Sequence, residues 1–287
     1  MNRLLLILLV SISSACYAQH PLLSKVVPTP DDVLKMFRDA GMSPVEHPLT
    51  DTERTSIAAA FTTLPPLHQR ILKDHLDGIS FLDNMPNTAL TSIVNPDDSV
   101  RRYHITFRAA ILKQTISEWL TEKEQTLFSP SSDTVVSLHA GNLNAIIYVL
   151  LHETTHVIDG SLDLFNTGFA AKFATPVWRE RTTLINGDSL LRNNHFRRGP
   201  VYSTAMAYQL YKALQQTPLV SIYSTSSWSE DLAEYLTVYH LTRVLKQPFS
   251  IELKAGGKTI LNYLPLGNRI VAERMKSLGI FYAGKKA

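Results

Sequence analysis

The chain is almost without cysteine and has no long apolar run. Its single cysteine, Cys16, lies close to the N-terminus, so no disulfide can form within the chain. Stability must therefore come from a sizeable buried core, which a chain of 287 residues can supply. No stretch reaches the roughly 20 consecutive apolar residues that a helix needs to cross a bilayer. We therefore expect no transmembrane segment.

The chain also lacks a strong excess of either positive or negative charge. The chain has 28 Lys and Arg residues against 25 Asp and Glu residues, a net charge of +3. The basic residues occur in scattered pairs, such as Arg101 and Arg102, rather than along one continuous face. Nucleic-acid-binding domains need a concentrated basic surface. We therefore expect no nucleic-acid partner.

Residues 1–18 have the pattern of a secretory signal peptide. Arg3 precedes the apolar stretch Leu4–Val10, and small residues follow. We expect cleavage after Ala18, which would remove Cys16. The alternative is a lipid anchor on Cys16, although Ser13 stands where a lipid-attachment signal prefers leucine. An exported protein without cysteine is expected in a bacterial periplasm or outside the cell, with an outer-membrane lipoprotein as the minority alternative.

Hydrophobic periodicity and turn residues divide the rest into a helical region, 19–78, and a larger α+β domain, 79–287. Helices are predicted at 31–41, 50–61, 67–76, 115–127, 204–215 and 267–277. Strands are predicted at 79–82, 90–94, 103–107 and 135–138. We expect the long segment 161–222 to shape a substrate cleft.

The segment from His152 to His156 has the sequence HETTH, and it follows the apolar run Leu143–Leu151. That run predicts a buried helix. Residues four apart share a helix face, so both imidazoles can bind one metal ion, and Glu153 projects beside them. Two histidines and a carboxylate would be costly to bury without a partner. The motif therefore predicts a zinc-dependent hydrolase, with a peptidase as the first choice.

The motif supplies two ligands, and the third must come from elsewhere. A metzincin would have a glycine and a further ligand at the positions of Asp159 and Leu162. Thermolysin-like enzymes have a glutamate where this chain has Thr175 and Pro176. Neither pattern fits, so the third ligand is not in either of these places.

Glu230 and Glu234 are the best remaining candidates. They lie one turn apart on one face of a predicted second helix. The alternative for Glu230 is a helix-capping role, because Ser227 stands three residues earlier and completes a capping box. Asp159 also has a structural alternative, as the last helical residue before Gly160 acting as a left-handed stop.

These residues together resemble the catalytic region of the anthrax lethal factor family. The matching features are HETTH with Asp159 after it, then Tyr223, Glu230 and Glu234. That family belongs to the gluzincins, zincin-fold peptidases with a glutamate as the third zinc ligand. The resemblance implies that Glu230 completes the zinc site, that the Tyr223 hydroxyl faces the reacting carbonyl, and that Glu234 supports the ligands from behind.

The expected fold is therefore an α+β, zincin-like metalloprotease domain with a small mixed sheet, an active-site helix and a helical C-terminal half. The predicted ligands are His152, His156 and Glu230, and Glu153 is the general base. Asp159 and Glu234 are expected to orient the ligand histidines. The predicted function is hydrolysis of protein or peptide substrates. The alternatives are a zincin-fold binding protein without activity and a zinc hydrolase of cell-wall peptides.

Overall fold

The computed structural model describes residues 20–175, 177–185, 189–192 and 202–284. The predicted signal peptide, its cleavage site and Cys16 lie outside these residues. The described chain is a mixed α+β protein, as predicted. None of its described helices combines the length and the apolar composition that a bilayer crossing requires.

Helices and strands are interspersed along the chain. The α-helices are α1 Asp31–Asp39, α2 Asp51–Thr63, α3 Pro66–His75, α4 Ile116–Gln125, α5 Ala145–Leu162, α6 Gly168–Phe173, α7 Ser189–Arg192, α8 Ala207–Leu214, α9 Trp228–Tyr239, α10 Arg269–Ala272 and α11 Gly279–Tyr282. The strands are β1 Val45–Glu46, β2 Leu76–Asp83, β3 Ala89–Ile93, β4 Tyr103–Arg108, β5 Phe128–Ser129, β6 Val135–His139, β7 Trp178–Glu180, β8 Thr183–Leu184, β9 Tyr202–Ser203, β10 Ser250–Ala255 and β11 Lys258–Tyr263.

The chain forms two compact units. Among the described residues, the first contains those up to Gln114 and Asn144–Val157, and the second contains Thr115–Leu143 and those from Ile158 onward. The division falls inside α5, so this one helix contributes residues to both units. The boundary predicted between residues 78 and 79 does not coincide with it, because β2, β3 and β4 belong to the same unit as the helices that precede them.

The first unit combines α1, α2 and α3 with a four-stranded sheet in the order β1-β2-β4-β3. Local signals set the helix starts. Thr50 and Glu53 form a reciprocal capping box at the start of α2, where a helix was predicted at 50–61. In the sheet, β2 and β4 are parallel, and β3 lies antiparallel to β4 at the edge.

Strand β2 begins earlier than predicted. Asp77 and Gly78, which fall between the predicted helix at 67–76 and the predicted strand at 79–82, lie inside the strand. The glycine is needed there because of close packing and not because of a turn. A Cβ atom on Gly78 would lie 2.4 Å from Val27 Cγ2 and 2.9 Å from His104 Nδ1.

The second unit contains a three-stranded antiparallel sheet in the order β11-β10-β6. Gly256 and Gly257 form the turn between β10 and β11 with φ of +55° and +73°, a backbone conformation that favours glycine. Helix α4 begins with a second capping box, Thr115 with Glu118, and agrees with the predicted helix at 115–127. The helix predicted at 267–277 is shorter in the structure, because α10 passes into a 3-10 turn after Ala272.

Helix α5 does not end at Gly160, so the structural alternative for Asp159, as the last helical residue before a left-handed glycine, does not hold. It continues to Leu162, and the left-handed position is Asp163, with φ of +46°. Aspartate tolerates this conformation, and its carboxylate accepts hydrogen bonds from Arg181 and Asn166. The segment 161–222 is also more structured than expected, because it contains α6, α7, α8 and three short strands. Arg197 and Arg198, another of the scattered basic pairs, lie outside the described residues.

Candidate metal centre

Helix α5 carries the HETTH segment, and its start is fixed by Asn144. The Asn144 side chain accepts a hydrogen bond from the Ile146 amide at 3.0 Å and donates one to the Leu112 carbonyl at 2.6 Å. The following residues from Ala145 to Leu151 are all buried. Since the helix is apolar on every side here, its first two turns hold the metal-binding segment within the core of the first unit.

The two histidines of the motif point to one place. Their Nε2 atoms are 3.2 Å apart, and their ring planes are nearly perpendicular, at 82°. A tetrahedral zinc ion with bonds of 2.0–2.1 Å would hold two nitrogens about 3.3 Å apart. The rings of His152 and His156 therefore have the spacing of a zinc-binding pair. An N–H···N hydrogen bond between them would have a similar length.

Glu230 lies in the first turn of α9. Its backbone amide donates to the Ser227 hydroxyl at 3.2 Å, so Ser227 caps the helix as predicted. This cap uses the main chain of Glu230 and does not require its carboxylate. Three potential ligand atoms, one from each of His152, His156 and Glu230, lie within 4.8 Å of one another. The capping role and the ligand role are therefore compatible.

This donor set fits zinc. Two imidazole nitrogens and one carboxylate oxygen are a common set of protein ligands at catalytic zinc, and they leave a fourth position for water or substrate. His152 is buried, while His156 and Glu230 are half-buried. Such a cluster would lie out of bulk water but open to a ligand.

Glu153 accepts a hydrogen bond that nothing in the sequence around it predicts. The Thr91 hydroxyl donates to Glu153 Oε2 at 2.7 Å. Thr91 lies on the edge strand β3, 62 positions earlier in the chain. This bond fixes the orientation of the carboxylate that the motif assigns as general base. Glu153 is half-buried, unlike the two threonines that follow it.

The buried face of the motif is tied to α3. The Thr155 hydroxyl donates to the Leu151 carbonyl at 2.7 Å, so its oxygen can only accept from His68 Nε2, which is 3.0 Å away. His68 therefore carries a proton on Nε2. His68 is fully buried, and the contact joins two helices of the first unit. From the sequence, His68 was predicted only to lie in the helix at 67–76.

Asp159 contacts the start of α9. Its Oδ2 accepts a hydrogen bond from Trp228 Nε1 at 3.1 Å and lies 3.9 Å from Arg181 Nη1. Trp228 is the first residue of the helix that carries Glu230. Asp159 therefore helps to hold that helix. Its predicted role in orienting a ligand histidine stays a prediction.

Next to Glu230, a buried ion pair fixes the same helical turn. Arg274 Nη1 lies 3.1 Å from Asp231 Oδ1, and Trp178 Nε1 donates to Asp231 Oδ2 at 2.9 Å. Burial raises the pKa of Asp231, even though the charge and hydrogen bonds of Arg274 act in the opposite direction. Arg274 also donates to the carbonyls of Phe173 and Pro218. No sequence pattern indicates this pair, because its members lie 43 positions apart.

Glu234 is buried one turn after Glu230 and contacts Lys123 and Ser221. Lys123 Nζ lies 3.3 Å from Glu234 Oε1, and the Ser221 hydroxyl donates to Oε2 at 2.8 Å. Tyr223 begins a 3-10 turn, and the Lys123 ammonium lies 4.0 Å from the centre of its ring. The predicted roles of Glu234 beside a ligand histidine and of the Tyr223 hydroxyl at a carbonyl stay predictions.

No protein-family model, curated protein or solved structure matches the chain. The resemblance to the lethal factor family therefore depends on the two short segments that carry it.

Proposed function

We propose that the protein is an exported zinc endopeptidase with a zincin-like catalytic domain. The zinc ligands would be His152, His156 and Glu230. The observation that supports this most is the convergence of their three ligand atoms within 4.8 Å, beside a glutamate that directly follows the first histidine. A metal ion in this set leaves room for a reacting group.

A zinc ion bound by these residues would polarise the scissile carbonyl and make a bound water more acidic. Glu153 would accept a proton from the attacking water and pass it to the nitrogen of the departing amine, so that the C–N bond breaks and a carboxylic acid and an amine result. The Tyr223 hydroxyl would donate a hydrogen bond to the oxyanion of the tetrahedral intermediate. The Thr91 hydroxyl would keep the Glu153 carboxylate in one orientation during the proton transfer.

Two carboxylates would support this arrangement. Asp159 and Glu234 are both buried, and both are proposed to accept hydrogen bonds from ligand histidines. Their observed contacts with Trp228, Lys123 and Ser221 are compatible with that role, because a carboxylate can accept several hydrogen bonds at once.

A binding protein that keeps the metal without cleaving a substrate is the alternative from another class. Glu153 argues against it, since a site that only holds metal needs no general base beside the ligands. The hydrogen bond from Thr91 adds to this argument, because it orients the carboxylate. Hydrolysis of cell-wall peptides would use the same chemistry and differs only in substrate.

The test uses the chain from Gln19 onward, purified without chelator, with Glu153→Gln as the matched variant. We expect about one zinc per chain in both proteins. The wild type should cleave a proteome-derived peptide library, and chelation should abolish the cleavage. Glu153→Gln should not cleave, because it keeps the shape but cannot accept the proton. Equal cleavage by Glu153→Gln would exclude the proposed mechanism, and a zinc-loaded wild type that cleaves nothing would favour the binding protein.

The metal site has its own control. His152→Ala and His156→Ala should each lose the zinc, whereas His139→Ala should keep it. His139 lies on β6, is exposed and contacts Glu252, and it is not part of the motif. Unchanged zinc content in both motif variants would show that the cluster is not the zinc site.

A further inference from the structure

Lys123 is a partly buried cation that the proposed chemistry does not use. It lies on α4, and its side chain is only 17% exposed. A lysine usually keeps its ammonium in water because desolvation is costly. This ammonium instead lies against an aromatic ring and a buried carboxylate, so its position requires an explanation.

The ammonium faces the ring of Tyr223. Nζ is 4.0 Å from the centre of that ring and 5.3 Å from the centre of the Trp119 ring. Both distances fall within the range of a cation–π interaction, and the shorter one belongs to Tyr223. A cation over the face of a phenol draws electron density from it, which makes the hydroxyl a better hydrogen-bond donor.

The ammonium also contacts Glu234. Nζ lies 3.3 Å from Oε1, and the Glu234 side chain is only 2% exposed. The second carboxylate oxygen accepts from Ser221, whose hydroxyl oxygen in turn accepts the Ser224 amide at 3.1 Å. Glu234 therefore anchors both the lysine over the Tyr223 ring and the turn that contains Tyr223.

We infer that Lys123 is a positioning residue for Tyr223: anchored by Glu234, it holds the phenol ring and strengthens its hydroxyl as a donor to the oxyanion. This inference rests on the proposed function, because it assumes that Tyr223 is that donor. It adds a residue from α4, a helix far from the motif in sequence, to the catalytic arrangement.

The first test is a double-mutant cycle with Lys123→Met, which keeps the length and removes the charge. Lys123→Met should lower kcat roughly 10–30-fold, the worth of a desolvated cation–π contact, with KM changed less than about twofold and zinc content unchanged. Tyr223→Phe should lower kcat by about 10²–10³-fold. The double variant should be no slower than Tyr223→Phe alone, because the lysine would act through the missing hydroxyl. Multiplying effects would overturn the inference.

The second test does not depend on activity, so it separates this inference from the proposed function. In protein with 13C-labelled lysine, the ε-methylene protons of Lys123 should be shifted upfield by the ring currents of Tyr223 and Trp119. Tyr223→Leu should reduce that shift, and Tyr223→Phe, which retains a ring, should preserve it. If Tyr223→Leu leaves the signal in place, the lysine does not lie over Tyr223 and the inference fails, whether or not the protein cleaves peptides.

A folding defect can be recognised with two further variants. Lys123→Met leaves the buried Glu234 carboxylate without this cation, which could destabilise the fold. Lys123→Met/Glu234→Gln removes both charges together, so its stability shows whether an unpaired carboxylate causes any folding defect of Lys123→Met. Lys123→Arg keeps the charge and the cation–π contact, and it should recover most of the lost rate. A folded, zinc-loaded Lys123→Arg protein that is as slow as Lys123→Met would overturn the role of the charge.

Discussion

Replacing Arg274 by methionine should strongly destabilise the second unit. Methionine fills most of the same space, so the change mainly removes the guanidinium. Arg274 and Asp231 are almost fully buried, at 3% and 0% side-chain exposure. Removing one partner of such a pair leaves an uncompensated charge in the core, which typically costs about 3–5 kcal/mol.

The surroundings of Arg274 support the upper part of that range. Its guanidinium also donates to the carbonyls of Phe173 at 3.1 Å and Pro218 at 2.8 Å. Each carbonyl would lose a hydrogen-bond donor in the variant, which costs about 1 kcal/mol of stability per bond. The group also lies 3.8 Å from the centre of the Phe173 ring, and methionine retains part of that contact. A loss of 3–5 kcal/mol is a large fraction of the stability of a typical domain, about 5–15 kcal/mol.

Urea unfolding followed by tryptophan fluorescence measures this change. The midpoint should fall while the slope with urea stays the same, and Tm should fall by roughly 10 °C. Arg269→Met is the matched control, because Arg269 is 93% exposed and pairs with an exposed Glu273 at 3.5 Å. It should cost less than about 1 kcal/mol. Arg274→Met/Asp231→Asn should recover part of the loss, and equal stability of Arg274→Met and Arg269→Met would refute the reasoning.

Three further predictions concern the site and the pH dependence of stability. Glu230→Ala should abolish tight zinc binding and Glu234→Ala should weaken it about 10–100-fold, as measured by competition with a chelator; normal zinc binding by Glu230→Ala would leave Glu230 as a helix cap only. Thr91→Val should lower kcat on the order of 10-fold with zinc retained, whereas Thr91→Ser should stay near wild type; an unaffected Thr91→Val would show that the contact is not used. Burial alone would lower the pKa of His47, but its hydrogen bonds and charge interactions with Asp83 and Glu53 raise it above the usual 6.5, so its contribution is complete below pH 6.5 and lost as pH rises through the folded-state pKa. Urea midpoints at pH 6 and 8.5 should therefore differ more in the wild type than in His47→Gln, and equal differences would contradict this assignment.

The elements that were predicted correctly are those with local signals. The capping boxes at Thr50 and Thr115 start α2 and α4 where the sequence places them. Each depends on residues only three positions apart, so the chain carries the whole signal within one turn. The same is true of the histidine pair, because their separation of four residues puts them on one helix face.

The contacts that were not predicted join residues far apart in sequence. Thr91 with Glu153 and Asp231 with Arg274 are examples. A periodic pattern shows that a position is buried, but it does not show which side chain lies opposite. The alternative in which α5 ends at Gly160 fails for a related reason. Glycine often ends a helix, but here Asp163 takes the left-handed position, supported by Arg181.

Asp159, Asp231 and Glu234, three of the buried carboxylates described in the second unit, indicate that orientation, and not only stability, is specified there. Each has cationic or hydrogen-bonding partners from other elements: Asp159 with Trp228 and Arg181, Asp231 with Arg274 and Trp178, and Glu234 with Lys123 and Ser221. Well-packed apolar residues often stabilise a core as well as a buried ion pair does. Charged partners, unlike apolar ones, accept only a few directions of approach. We infer that these three carboxylates fix the angle and register of α9, the helix on which Glu230 lies.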